Sequence, residues 1–184
     1  KAVNLARDMR RRAIDLLRRF EGTPGGSDAG TFGFWPYDQH PGREDSPLAT
    51  FMFEVLQGPV LGGPRLPLNL HVYPKELAIP SDADVTATTY ASILDDALLD
   101  GGAGTDVEIE TFFVDWRDTG AVPLRLTPDW LPPASGVFLT WLTYQDDQNA
   151  LVPNDVDLVV NANVLYALAR YGRLDAPGVD EAIA

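Results

Sequence analysis

Two short acidic turns, written 73 positions apart, hold the residues best suited to chemistry. Residues 80–86 read Pro-Ser-Asp-Ala-Asp-Val-Thr, and residues 153–159 read Pro-Asn-Asp-Val-Asp-Leu-Val. Each leads into an apolar stretch of helical length, residues 87–99 and 160–170. Asp82 and Asp84 in the first copy, and Asp155 and Asp157 in the second, therefore stand at helix mouths. Carboxylates that share one cavity raise a neighbour's pKa, which makes an acid, or gather a hard divalent cation. The same residues serve as helix caps. There they satisfy free backbone N–H groups and meet the positive end of the dipole, for about 0.5–2 kcal/mol.

Around these acids stand polar and aromatic candidates for binding. Asn161 and Asn163 interrupt an otherwise apolar helix, and they lie about 200° apart around its axis, so they do not share a face. Thr88 and Tyr90 occupy the corresponding places in the first copy when the motifs are aligned. Trp35 and Tyr37, in a Gly- and Pro-flanked loop, and Trp141 are the aromatics most suited to line a pocket, where π faces could stabilise a carbocation or stack a sugar. His40 and His71 could each act as a base. No Gly-X-Ser-X-Gly or phosphate-binding glycine loop accompanies them.

These residues need helices to position them. Leu5, Met9, Ala13, Leu16, Leu17 and Phe20 recur at steps of three or four, which predicts an amphipathic helix over residues 3–20. Residues 23–47 form a long loop with the aromatic cluster Phe32, Phe34, Trp35 and Tyr37. Short helix over 48–56 and extended chain over 66–73 follow. The acidic turns open helices over 81–99, capped by Ser81 or Asp82, and over 155–171, capped by Asn154 or an Asp. The second is apolar nearly all round, which predicts burial on every side. Residues 106–116 fit strand and helix equally. A Pro-rich loop and an apolar run, 137–144, separate the two units, and another helix starts at 179–184.

A chain of 184 residues with 45% hydrophobic content suits one globular domain. Without cysteine it has no disulfide, zinc thiolate or thiol nucleophile, and two histidines leave little for a multi-His metal centre. Seven basic residues against Asp8 and Asp15 put residues 1–20 at +5, so the total of −13 leaves the remainder at −18. An acidic body argues against a nucleic-acid groove. The basic helix is expected to be solvated or to dock on its own acidic domain. No stretch has the roughly 18 apolar residues of a membrane span. Lys1 is not an initiator residue, so a longer parent chain is expected. The N-terminus as it stands lacks the apolar core of a signal peptide, and an upstream targeting segment could have been lost; the localisation stays open, with the cytoplasm favoured.

Phe-Gly-Phe-Trp-Pro (32–36), the first acidic turn, Phe-Leu-Thr-Trp-Leu (138–142) and Asn-Asp-Val-Asp-Leu-Val-Val-Asn-Ala-Asn-Val-Leu-Tyr (154–166) together resemble the α/α-toroid proteins of the terpene cyclase and prenyltransferase superfamily, over residues 30–170. The likeness is to squalene-cyclase-like bacterial members. It implies an all-α fold, an incomplete or reduced α/α toroid of helical hairpins with long aromatic loops. It also implies acid-initiated isoprenoid cyclisation of the class II type. Carried over by position, Asp84 would be the proton donor, with Asp82, Asp157 and Asp155 as tuning carboxylates. Trp35, Tyr37, Asn161, Asn163, Trp141 and Tyr90 would shape the substrate site. Val85 stands where the family motif has its last Asp. No cofactor is required, although Mg²⁺ or Ca²⁺ could sit at the acidic turns. An isoprenoid substrate, self-association or the remainder of a longer chain would be the partners. Two other readings remain open: a non-catalytic ligand- or protein-binding toroid, and a carbohydrate-active one.

Overall fold

The computed structural model describes residues 2–22, 29–33, 81–102, 104–121, 131–132, 134–142 and 154–184. The expected helix over 48–56, the extended segment over 66–73, His40, His71, and the candidates Trp35 and Tyr37 lie outside them. All regular structure among the described residues is helical, and pairing between extended segments is limited to three isolated antiparallel bridges. The all-α expectation agrees with this.

Helix α1 (Ala2–Leu17) runs into a 3₁₀ turn (Arg18–Phe20), close to the predicted span. Its docking differs from expectation. Leu5, Met9 and Leu16 are exposed, whereas Ile14 and Phe20 pack against the core. What anchors the helix is Arg10, which donates to both Asp96 and Asp100, with Arg7 near Asp100 at 3.6 Å. The reason lies in α2 (Ala83–Leu99), which ends in acids and has no basic residue in its last turn. Asp95, Asp96 and Asp100 thus stand at the negative end of the helix dipole. Arg10 supplies the missing cation, and its hydrogen bond holds the Asp100 carboxyl below the ordinary range. The basic segment docks on its own acidic domain.

Helix α3 (Leu158–Arg170) lies beside α2 and parallel to it. Asp84 pairs with Asn163 toward their N-terminal ends, and Asp95 pairs with Arg170 toward their C-terminal ends. Pairs in that order fix the parallel sense. Small side chains permit the close approach: Ala83, Ala87 and Ala167 are fully buried together with Val164 and Leu168. Residues 106–116 form neither predicted alternative in full but a single 3₁₀ turn, Ile109–Phe112, which places Ile109 and Phe113 in the core. A short last helix, α4 (Val179–Ile183), buries Val179.

The apolar run over 137–142 is extended and lies across the mouths of both long helices. Its carbonyl at Thr140 accepts from Ala83 N–H, and its Thr140 N–H donates to the Asp155 carbonyl. Leu142 N–H reaches the Ser81 carbonyl. The donors at the mouth of α2 and the chain entering α3 are therefore satisfied by one strap, which is how two helices far apart in sequence are held in step.

Candidate functional site

The caps are Asp82 and Asp157, not Ser81 or Asn154. Asp82 accepts from Val85 N–H at 2.9 Å, and Asp157 accepts from Val159 and Val160 N–H at 2.7 and 3.1 Å. Asn154 instead braces the strap, with its amide exchanging two 2.8 Å bonds with the backbone of Trp141. This changes the register of the internal repeat. Aligning the written motifs pairs Asp82 with Asp155, but the structure pairs cap with cap, Asp82 with Asp157, 75 residues apart.

The new register explains a second correspondence. Four residues beyond each cap stand Thr86 and Asn161, both buried. The Thr86 hydroxyl accepts from Phe32 N–H at 2.8 Å and donates to its carbonyl at 3.3 Å. The Asn161 amide does the same for Phe138, accepting from its N–H at 3.0 Å and donating to its carbonyl at 2.9 Å. Each long helix thus clamps the backbone of one buried Phe. Both Phe residues follow a glycine with positive φ, Gly30 at +80° and Gly136 at +81°, a conformation costly for a residue with a Cβ. The signal was in the sequence as Gly-X-Phe-X-X-Trp, at residues 30–35 and again at 136–141.

The four sequence-designated acids meet unequally. Asp82 is buried. Loss of hydration is the largest cause that holds its carboxyl above the ordinary range, and the charges of Asp84 and Asp157 add to it. Backbone N–H groups of Val85 and Asp84 pull the other way. The Asp84–Asn163 hydrogen bond and the strap bonds that join Thr140 to Ala83 and Asp155 bring the two motifs together. Asp84 is half-buried and accepts from the Asn163 side-chain amide across the helix seam. Asp155 is half-buried on the chain entering α3, held by its backbone carbonyl to the strap.

The binding candidates divide in the same way. Asn163 faces the seam with Asp84, and the exposed Thr88 lies one turn further along α2. Tyr90 is packed into the core. Its ring stacks on Phe112 at 5.0 Å and meets Phe32 edge-on at 5.4 Å, while its hydroxyl donates to the Gly30 carbonyl at 2.8 Å. Burial pushes the Tyr90 phenol up to about 12. Asn161 is committed to Phe138, with a further bond to the Asp157 carbonyl. Trp141 is half-buried within the strap. Among the described residues no group of three or more acids or histidines could hold a metal ion.

The raised pKa of Asp82 has a signed consequence. A carboxyl whose folded pKa lies above its unfolded value binds more protons when folded, so stability falls as pH rises through that window. Its charge then opposes folding at neutral pH. Asp82→Asn keeps a side-chain oxygen for the Val85 N–H and removes the charge. Its melting temperature at pH 7 is expected to exceed the parent's, and the gap should close below about pH 4, where the unfolded carboxyl protonates. A variant that melts lower than the parent at pH 7 would show that the charge itself supports α2.

No family model, curated protein or solved structure matches this chain.

Proposed function

We propose that the chain is a non-catalytic ligand-binding module of the α/α-toroid type, which takes an apolar, isoprenoid-like molecule at the seam between α2 and α3. One observation carries the reading: the acids at the helix mouths already have structural occupations. Asp82 and Asp157 hold backbone N–H groups as caps, and Asp84 holds Asn163. A proton donor to an alkene needs a carboxyl that is kept protonated and is open to substrate. Asp84 accepts from the Asn163 amide across the seam. Asp82 has the raised pKa but is only 4% exposed. The parallel packing of two capped helices supports the toroid arrangement, in which like helices stand side by side. Val159 and Thr88, both exposed beside the Asp84–Asn163 pair, offer a mixed apolar and hydroxyl surface for a ligand.

One observation favours the second reading, acid-initiated cyclisation: the charges of Asp84 and Asp157 both act on the buried Asp82 carboxyl and help to hold it above the ordinary range. The two are separated by incubating the protein with squalene and with C10–C20 prenyl diphosphates, with and without Mg²⁺, and following both product and thermal unfolding. The expected result is a ligand-dependent rise in melting temperature with no cyclised product. A product that disappears in Asp84→Asn would overturn the binding-module reading and make Asp84 the acid. No rise with any of these ligands would overturn the isoprenoid site.

A further inference from the structure

Helix α1 is fastened to the fold at two places, and the packing between them is thin. At its C-terminal end, residues 20–22 form a backbone hinge. There the Phe20 carbonyl accepts from Gly33 N–H at 3.0 Å, and Gly22 N–H donates to the Thr31 carbonyl at 2.8 Å. Near the middle of α1, Arg10 is held by Asp96 and Asp100 of α2, with Arg7 beside Asp100. From residue 3 to residue 17 no residue is buried, and only Arg10, Ile14 and Leu17 are half-buried. Helix α2, of similar length, buries eight of its 17 residues. The buried members of the core come from other segments, and Ile14 is the α1 side chain that reaches their edge.

We propose that residues 2–17 are a salt-released arm, latched by Arg10, which opens about the hinge as one unit while α2 and α3 stay packed. The latch is within reach of dissolved ions: the Arg10, Asp96 and Asp100 side chains are 25%, 21% and 34% exposed. The Debye length shrinks from about 10 Å at 0.1 M salt to about 3 Å at 1 M, which weakens attraction between charges that water reaches. A helix docked by an apolar stripe would instead be held at least as firmly in concentrated salt. Once released, the arm loses its helix as well. Its 16 residues barely exceed the roughly 12–15 below which an isolated helix is marginal, and it has no acid in its first turn and no base in its last. Opening is therefore a local unfolding, and backbone amides report it directly. The latch serves α2 too. Without Arg10, the acids Asp95, Asp96 and Asp100 stand together at the negative end of its dipole with no basic residue in the last turn.

Amide hydrogen exchange of the full chain, at about 0.1 M and about 1 M NaCl, tests this. Amides of α1 are expected to exchange at least about tenfold faster at the higher salt, while residues 86–94 of α2 and 160–168 of α3 change by less than about twofold. Arg10→Gln should reproduce most of that acceleration at low salt and remove most of the salt response. Reversing the pair, with Arg10→Glu, Asp96→Arg and Asp100→Arg together, should restore slow exchange in α1 at low salt, because the reversed charges attract as the originals do. Since α1 supplies none of the buried core, these variants keep α2 and α3 folded, and their amides check that in the same spectra. Equal α1 exchange at both salts would overturn the proposal, because Ile14 and its neighbours would then hold the helix. So would acceleration of all three helices together, which would mean that α1 opens only with the whole fold. Unprotected α1 amides already at low salt would show that no latch operates.

Discussion

Replacing Asn161 by Leu is expected to cost about 2–5 kcal/mol, enough to remove much of the stability of a domain that begins with about 5–15. The Leu side chain fills a similar volume, so the loss is not a cavity. It arises because the N–H and carbonyl of Phe138 are left buried with nothing in their place. Each stranded backbone group costs about 1–3 kcal/mol. The Asp157 carbonyl, which also receives Asn161's amide, keeps the Asn161 backbone N–H and suffers less. Asn163→Leu, two residues away on the half-buried seam, releases only Asp84 and should cost under about 1 kcal/mol. Urea unfolding of both variants, read with midpoint and slope together, makes the comparison. Equal losses would mean that the strap is not held by Asn161 but by the rest of its backbone bonds.

Periodicity and capping chemistry made the long helices legible. The acidic turns predicted helices over 81–99 and 155–171, and the observed α2 and α3 fall within those spans. What periodicity could not supply was the neighbour of each helix. The sequence of α3 reads as apolar all round, and that predicts complete burial; yet Leu158, Val159 and Tyr166 are exposed, because apolar character records what a face can pack against and not whether a partner is present. The α1 stripe teaches the same lesson. Its spacing points Leu5, Met9 and Leu16 to a core, but the unneutralised acids at the end of α2 draw the helix in by Arg10 instead. Long-range charge pairing leaves no periodic trace in a sequence.

The candidate site was legible in its residue types more than in its register. Asp-X-Asp catches the eye, so the two copies align on it at 73. The physical repeat is a cap with a polar side chain one turn later, aligned at 75, and its two halves use different residue types, Thr86 and Asn161. A hydroxyl and an amide can each exchange two bonds with one backbone unit, so the function repeats where the letters do not. The sequence offers the four acids two uses, helix capping or a shared cavity that would make an acid or gather a cation. In the fold Asp82 and Asp157 serve as caps, each through its Oδ1 oxygen.

Truncating Phe138 to Ala is expected to cost about 3–5 kcal/mol, and truncating Phe32 about the same. Both side chains are 1% exposed, and both belong to the single core around α2 and α3. Phe138 meets Phe113 edge-on at 6.3 Å, and Phe32 meets Tyr90 edge-on at 5.4 Å, so each loses one aromatic pair worth about 0.5–1.5 kcal/mol beyond its buried area. The backbone clamps survive truncation, because Thr86 and Asn161 bind main-chain atoms. Stability should therefore fall while helicity by circular dichroism is kept at low denaturant, unlike Asn161→Leu, which releases the strap itself. The equivalence of the two Phe residues is the sharper expectation. If Phe32→Ala cost several kcal/mol and Phe138→Ala under about 1, the shared Gly-X-Phe-X-X-Trp wording would mark a common turn shape without a common energetic role. Similar losses would mean that each long helix is seated by its own loop aromatic, and that the repeat is a unit of stability as well as of sequence.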